Sequence, residues 1–222
     1  MRLSGGARAR QTLVAPKGKK TRPTGAKVRE ALYDILGERV DGARVLDVFA
    51  GSGSLGFEAM SRGAGSVVFV EDDASAVMAI RRNAVRVIGD TERFRIMPMR
   101  AARALRTLRG TFDIVIMDPP YRRGAAEELK LLMQRSLLAP DAIVVVEHAA
   151  DDAVALPTSL QAVKFAKYGD SALTFAMAHR RSAARRDRPS DDDEALEEAE
   201  TLAAAARPQK VGAAKPRGRA RK

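Results

Sequence analysis

The sequence predicts an α/β domain built on a doubly wound, mostly parallel seven-stranded sheet with an antiparallel edge hairpin. Three observations carry that expectation. Between Arg44 and Val146, five short apolar runs are separated by stretches of helical periodicity. A glycine-rich turn, Gly51-Ser52-Gly53-Ser54-Leu55-Gly56, joins the first run to the helix after it. Near the end of this pattern, the extended runs 160–168 and 172–178 are separated only by Gly169-Asp170-Ser171. Strands alternating with helices imply crossover units and a parallel sheet. A three-residue link is too short for a crossover and forces a hairpin.

Each element has its own signal. Residues 2–22 hold two extended pieces, Arg2-Leu3-Ser4 and 11–14, around Gly5-Gly6, which fits a basic hairpin or arm over 1–23. From Thr24, Val28, Leu32, Ile35 and Leu36 fall at i, i+4, i+7 and i+8, and Gly37 offers a stop. Strands are then expected at 44–49, 66–70, 94–97, 112–117 and 142–146, with helices at 54–63, 73–88, 101–108 and 124–137. These elements and the hairpin make one domain over 24–180. Beyond Arg181 the chain has almost no β-branched or aromatic residues and runs in charge blocks, Arg185-Arg186 and then Asp191-Asp192-Asp193-Glu194. Such a composition cannot repay its ordering entropy, so 181–222 is expected to be a disordered tail with a transient helix over 194–206.

Cysteine is absent, which excludes disulfides, thiolate nucleophiles, iron–sulfur clusters and Cys-type zinc sites. His148 and His179 are the two histidines and have no sequence partners, so structural roles and no metal site are expected. The formal charge of +11 sits at the ends: residues 1–30 carry nine Lys/Arg against Glu30, whereas 31–179 carry 18 against 19 acids. A near-neutral core with a basic arm suits a polyanion, with nucleic acid ahead of an anionic membrane surface. No apolar run approaches the roughly 20 residues of a membrane span. The Arg-rich start also fits an organelle transit peptide, but Arg22-Pro23-Thr24 and the helix after it read as part of a folded unit, so a cytoplasmic protein is expected.

The glycine turn leaves a buried strand and enters a helix, where glycines admit a ligand close to the backbone and the helix N-terminus offers free N–H groups. Glu71 follows Gly51 by twenty residues at the end of the second strand, placed to accept both hydroxyls of a ribose. Asp47 stands four residues ahead of Gly51. A carboxylate there can fix the glycine loop or reach a cationic ligand through water, and an acidic rim opposes a pyrophosphate, so S-adenosylmethionine, with its sulfonium and amino group, is the expected cofactor. Asp47, Phe49, Gly51, Gly53, Gly56, Glu71 and Asp118 are the candidate cofactor-binding residues.

The second motif is Asp118-Pro119-Pro120-Tyr121, at the end of the fourth strand. Ligands of doubly wound sheets bind beyond the carboxyl ends of strands, so this loop faces the same crevice. Its prolines stiffen it. An exocyclic amine of a nucleobase is a poor nucleophile; the Asp118 carboxylate and Pro119 carbonyl could bind its two N–H groups and aim its lone pair, while Tyr121 stacks on the ring. Asp118, Pro119 and Tyr121 are therefore the candidate catalytic residues. A base within a helix would have to be flipped out first.

The arm ending Arg22-Pro23-Thr24 with Val28-Arg29-Glu30, the turn Leu46-Asp47-Val48-Phe49-Ala50-Gly51-Ser52-Gly53, the loop Asp118-Pro119-Pro120-Tyr121-Arg122-Arg123-Gly124 and the Tyr168-Gly169 hairpin resemble the bacterial 16S ribosomal RNA guanine-N2 methyltransferases (RsmD-like). The resemblance runs from about Arg2 to Met177 and implies the class I S-adenosylmethionine-dependent methyltransferase fold. It also implies a guanine in small-subunit ribosomal RNA as substrate, presented on an assembled or partly assembled particle. Where members place Asp or Asn before an Ala after the third strand, to meet the cofactor's adenine amine, this chain has Arg100-Ala101. Arg22, Lys27 and Arg29 are expected to meet phosphate or to order the arm over the cofactor, and Arg122 and Arg123 to clamp the backbone beside the base. A monomer is expected. The competing readings are a DNA adenine amino-methyltransferase and a non-catalytic RNA-binding ribosome assembly factor.

Overall fold

The computed structural model describes residues 1–16, 25–87, 93–120 and 123–178. Helix α1 (Ala26–Leu36) passes through a 3-10 turn, Gly37–Val40, into β1 (Arg44–Val48). The alternation continues with α2 (Ser54–Ser61), β2 (Ser66–Glu71), α3 (Ala74–Val87), β3 (Phe94–Pro98), α4 (Ala101–Thr107), β4 (Phe112–Met117) and α5 (Ala126–Gln134). Three strands close the pattern: β5 (Leu138–Ala149), β6 (Leu160–Tyr168) and β7 (Ser171–Ala178). All seven lie in one sheet, in the order β3-β2-β1-β4-β5-β7-β6. Strands β1 to β5 pair in parallel, and β7 is antiparallel to both β5 and β6. This is the sheet the alternation and the short link predict. The tail expected over 181–222 lies outside the described residues, as do His179, Arg22, Tyr121 and Arg122.

Val45, Leu46, Asp47 and Val48 are all buried, as befits a strand covered on both faces. Side chains alternate across the strand, so Val45 joins Leu32 of α1, Phe57 of α2 and Ile80 of α3 in one core. Leu46 and Val48 join Leu105 of α4 and Leu129 of α5 in the other.

The sequence pattern underestimates β5. Leu138 pairs with Phe112 ahead of a register shift in this pairing, and Asp141 between the two registers takes a left-handed φ of 61°. At the other end, Glu147, His148 and Ala149 go on pairing with β7. Apolar runs mark where a strand is buried, whereas hydrogen bonding continues wherever a neighbour offers a partner.

Residues 1–16 are docked on α2. Arg2 and Thr12 form an antiparallel bridge, and Leu3 and Leu13 enter the α1–α3 core. The Glu58 carboxylate on α2 accepts from the Ser4 N–H (2.8 Å), the Ser4 hydroxyl (2.8 Å), the Gly5 N–H (2.7 Å), Arg62 Nε (3.0 Å) and Arg29 Nε (3.3 Å). Arg29 also donates through Nη2 to the Arg2 carbonyl at 2.6 Å. Burial would push the Glu58 carboxyl up, but the bonds from Ser4, Arg62 and Gly5 outweigh it and hold the group below its ordinary 4.5. Its charge thus adds stability that is present above that value and is lost as the pH falls through the lower folded value. Glu58→Gln leaves Arg29 buried without its counter-charge and should cost about 3–5 kcal/mol in denaturant unfolding at pH 7. The gap from wild type should narrow below pH 4.5.

Candidate functional site

The carboxyl ends of β1 to β4 frame a cleft of about 320 Å³, lined by Phe49, Glu71, Met99, Arg100, Pro120 and Arg123. That volume lies at the lower end of the roughly 300–1,000 Å³ seen for small-molecule sites. The cleft lies where a doubly wound sheet places its ligands.

Phe49, where the chain turns from β1 into α2, lines one wall. Phe49 and Gly51 adopt φ of 63° and 55°, and Gly53, the residue before α2, is left-handed at 77°. The three turn glycines have different surroundings. A Cβ on Gly53 would come within 2.7 Å of the Phe57 ring, and one on Gly56 within 2.2 Å of the Phe69 ring, so both let α2 pack closely on the sheet. Beside Gly51 no atom of the described residues lies within 4 Å of where a Cβ would stand, which leaves open space there. Gly56 was expected among the ligand-binding residues; its N–H is instead engaged by a side chain beneath the turn, that of Asp47.

Asp47 is 1% exposed, and its Oδ2 accepts the Gly56 N–H at 2.9 Å. Its Oδ1 meets no hydrogen-bond donor among the described residues. Burial pushes the Asp47 carboxyl up to about 7, against the Gly56 bond, with the charges of Asp118 and Glu71 adding to the rise. Glu71 Oε2 accepts the Gly51 N–H at 2.7 Å, and Oε1 accepts the N–H groups of Asp72 and Asp73, both at 2.9 Å. The acid read as a ribose acceptor therefore also ties the glycine turn to the end of β2.

Asp118 is half-buried at the end of β4, with its N–H 3.5 Å from the Val48 carbonyl of β1. Pro119 is half-buried and Pro120 exposed at the cleft. The two loops leave neighbouring strands, since Val48 pairs with Met117. Arg123 lies over the Phe49 ring at 5.0 Å and donates from Nη2 to Glu128 at 2.7 Å. It lines the cleft beside Phe49. Arg100 also lines the cleft; its side chain is 88% exposed, with Nε 4.0 Å from Asp72.

Of the basic residues read as phosphate contacts, Lys27 is exposed on α1. Arg29 takes the second of its two expected roles: it is 0% exposed and committed to Glu58 and Arg2, so it orders the N-terminal segment, and the expected phosphate contact is corrected because it offers no surface to one. His148 bonds the Thr174 hydroxyl through Nε2 and the Ala149 carbonyl through Nδ1, both at 2.8 Å. No group of three metal-ligating side chains occurs among the described residues. Among them, too, no helix is long and apolar enough to cross a membrane.

A family model described as Conserved hypothetical protein 95 matches residues 1–177. The chain belongs to this family. It is 34% identical over 159 residues to ribosomal RNA small subunit methyltransferase D of Escherichia coli, covering 71% of this chain and 78% of that one. YlbH of Bacillus subtilis is 36% identical over 164 residues, covering 72% of this chain and 88% of that one. Among solved structures, yhhF from Escherichia coli superposes with a TM-score of 0.72 at 29% identity, covering 81% of this chain and 98% of that one. The family resemblance of the sequence is thereby established, and with it the Rossmann-like methyltransferase fold.

Sequence reasoning missed Asn83 and Glu58. Asn83 does have a readable signal: it shares the buried stripe of α3 with Val77, Ile80, Ala84 and Val87, and an amide at that spacing on an apolar face needs a partner. Glu58 and Arg29 lie 29 residues apart, with no such signal.

Asp47 yields a pH prediction. Its folded value lies above the unfolded 3.8, so the folded state holds the proton more tightly, and its contribution to stability falls as pH rises from about 4 to about 7. Asp47→Asn removes that decline. Its melting temperature should exceed that of wild type at pH 8, with the difference closing towards pH 4.

Proposed function

We propose that this chain transfers a methyl group from S-adenosylmethionine to the exocyclic N2 amine of a guanine in small-subunit ribosomal RNA. The reading is supported by the turn after Val48 and the Asp118-Pro119-Pro120 loop leaving adjacent parallel strands, with Phe49 of the one and Pro120 of the other lining one cleft. Membership of a family that includes ribosomal RNA small subunit methyltransferase D gives the reaction class and the RNA.

The residues present fit such a cofactor. The cleft is of small-molecule size and, among the described residues, Gly51 has free space beside it and the buried Asp47 Oδ1 is an acceptor without a donor. Gly51, Phe49 and Glu71 would hold the nucleoside, with Asp118 offering an acid to the cationic end and the buried Asp47 fixing the glycine turn from beneath. S-adenosylmethionine supplies an electrophilic methyl group on a sulfonium. Arg100 stands where relatives carry an acid or amide, so adenine selection here rests on the Phe49 and Met99 surfaces and on backbone.

The Asp118 carboxylate and the Pro119 carbonyl accept the two N–H groups of the guanine amine and direct its lone pair along the line of attack. As the nitrogen–carbon bond forms and the sulfur–carbon bond breaks, positive charge grows on nitrogen, and the fixed carboxylate offsets it without reorganising. The amine then sheds one proton, to Asp118 or to water. Tyr121 and Arg122, outside the described residues, belong to the same reading as the stacking ring and a phosphate contact, with Arg22 and Lys27 on the RNA side. The substrate is small-subunit RNA presented on an assembled or partly assembled particle, met by a monomer in the cytoplasm.

Asp118→Ala should lower methyl transfer roughly 100- to 1,000-fold, with the dissociation constant for S-adenosylmethionine nearly unchanged; unaltered turnover would remove Asp118 from the mechanism. Mass mapping of ribosomal RNA from cells lacking the protein should reveal one guanine without its methyl group. A full complement of methylated guanines would defeat the assignment.

A further inference from the structure

Asn83 lies near the C-terminal end of α3 and is 0% exposed. Its Oδ1 accepts the Val14 N–H at 2.7 Å, and its Nδ2 donates to the Val14 carbonyl at 3.0 Å. The amide thus pairs with Val14 as a neighbouring strand residue would. The same Nδ2 donates its second hydrogen to the carbonyl of Ser52, also at 3.0 Å. The partners fix which way the amide faces: the Val14 N–H can meet only the oxygen, and the two carbonyls only the NH2 group. Both amide hydrogens are used, and one buried side chain joins three elements.

Ser52 is the residue between Gly51 and Gly53, so its carbonyl belongs to the peptide unit that precedes the left-handed Gly53. Glu71 fixes the turn at the Gly51 N–H and Asp47 fixes it at the Gly56 N–H. Asn83 is a third tether and, among the described residues, the one of the three that also holds the N-terminal segment. At its other end, that segment is held by Glu58 on α2, the helix that leaves the turn.

We infer that Asn83 is a positioning residue that couples the order of the N-terminal segment to cofactor affinity, by setting the Ser52–Gly53 peptide from the Val14 backbone. The inference rests on the proposed binding of S-adenosylmethionine at the glycine turn. Neither Val14 nor Asn83 lines the cleft, and the Ser52 carbonyl is the contact by which Asn83 reaches the glycine turn. Coupling is reciprocal: what ordered Val14 contributes to cofactor affinity, bound cofactor returns as protection of the Val14 amide.

The test uses the full chain and two variants. Asn83→Ala removes the tether. Val14→Pro keeps the Asn83 side chain but deletes the N–H that it accepts, while also fixing φ at this half-buried position outside the lining of the cleft. Titration calorimetry with S-adenosylmethionine should give a dissociation constant raised about tenfold in Asn83→Ala and severalfold in Val14→Pro. The KM for the cofactor should rise in step, with kcat at saturating cofactor close to wild type. Hydrogen exchange should slow at the Val14 amide of wild type when cofactor is added and stay unchanged in Asn83→Ala. A purely structural Asn83 would lower the melting temperature of both variants but leave their dissociation constants at the wild-type value, and that result overturns the inference. Wild type that binds no S-adenosylmethionine would instead overturn the proposed function, and this inference with it.

Discussion

Backbone N–H groups in a strand-to-helix turn have no helical carbonyl to bond, and the cleft is built on how this chain satisfies them. Asp47 reaches up from β1 to take the Gly56 N–H, and Glu71 reaches across from β2 to take that of Gly51. Both acceptors are carboxylates near the positive end of α2, where negative charge is favoured. The arrangement gives the turn one shape, and that shape keeps open space beside Gly51 while Gly53 and Gly56 press α2 against the sheet. An acid in this role has a cost. Asp47 is buried with one oxygen lacking a donor, and its proton affinity rises accordingly.

The N-terminal segment extends the same logic outward. A chain that begins with alternating basic and small residues has little apolar surface of its own, and two leucines, Leu3 and Leu13, anchor it in the core. Specific placement comes from buried polar side chains on α2 and α3. Glu58 collects five donors and Asn83 uses both amide hydrogens, so each end of the segment is fixed by a group that could not remain buried unpaired. Residues 1–16, which carry Arg2, Arg8 and Arg10, are therefore attached to α2 and α3.

The motifs that could be read directly were those whose chemistry is local. A Gly-x-Gly-x-x-Gly after a buried strand dictates a tight turn and a helix start, and Asp-Pro-Pro after another dictates a stiff loop with one carboxylate. The register of β1 with β4 then brings the two together. Less legible was what each residue would touch. Gly56 serves helix packing, Arg29 is buried in an ion pair instead of facing a phosphate, and Arg123 stacks on Phe49 at the cleft. Each outcome depends on a partner between 13 and 74 residues away, or on a sheet face that the helix period alone does not name.

The sequence by itself determined the order of strands and helices, the parallel core with its antiparallel hairpin, and the two loops that carry the chemistry. Periodicity, glycine and proline geometry and link length all act over a few residues, so they survive without a fold. Tertiary structure alone decided which polar groups are buried together, which of the basic residues remain exposed, and how far β5 runs. Those outcomes follow from desolvation and pairing between distant segments, and such energies exist only once the chain has closed on itself.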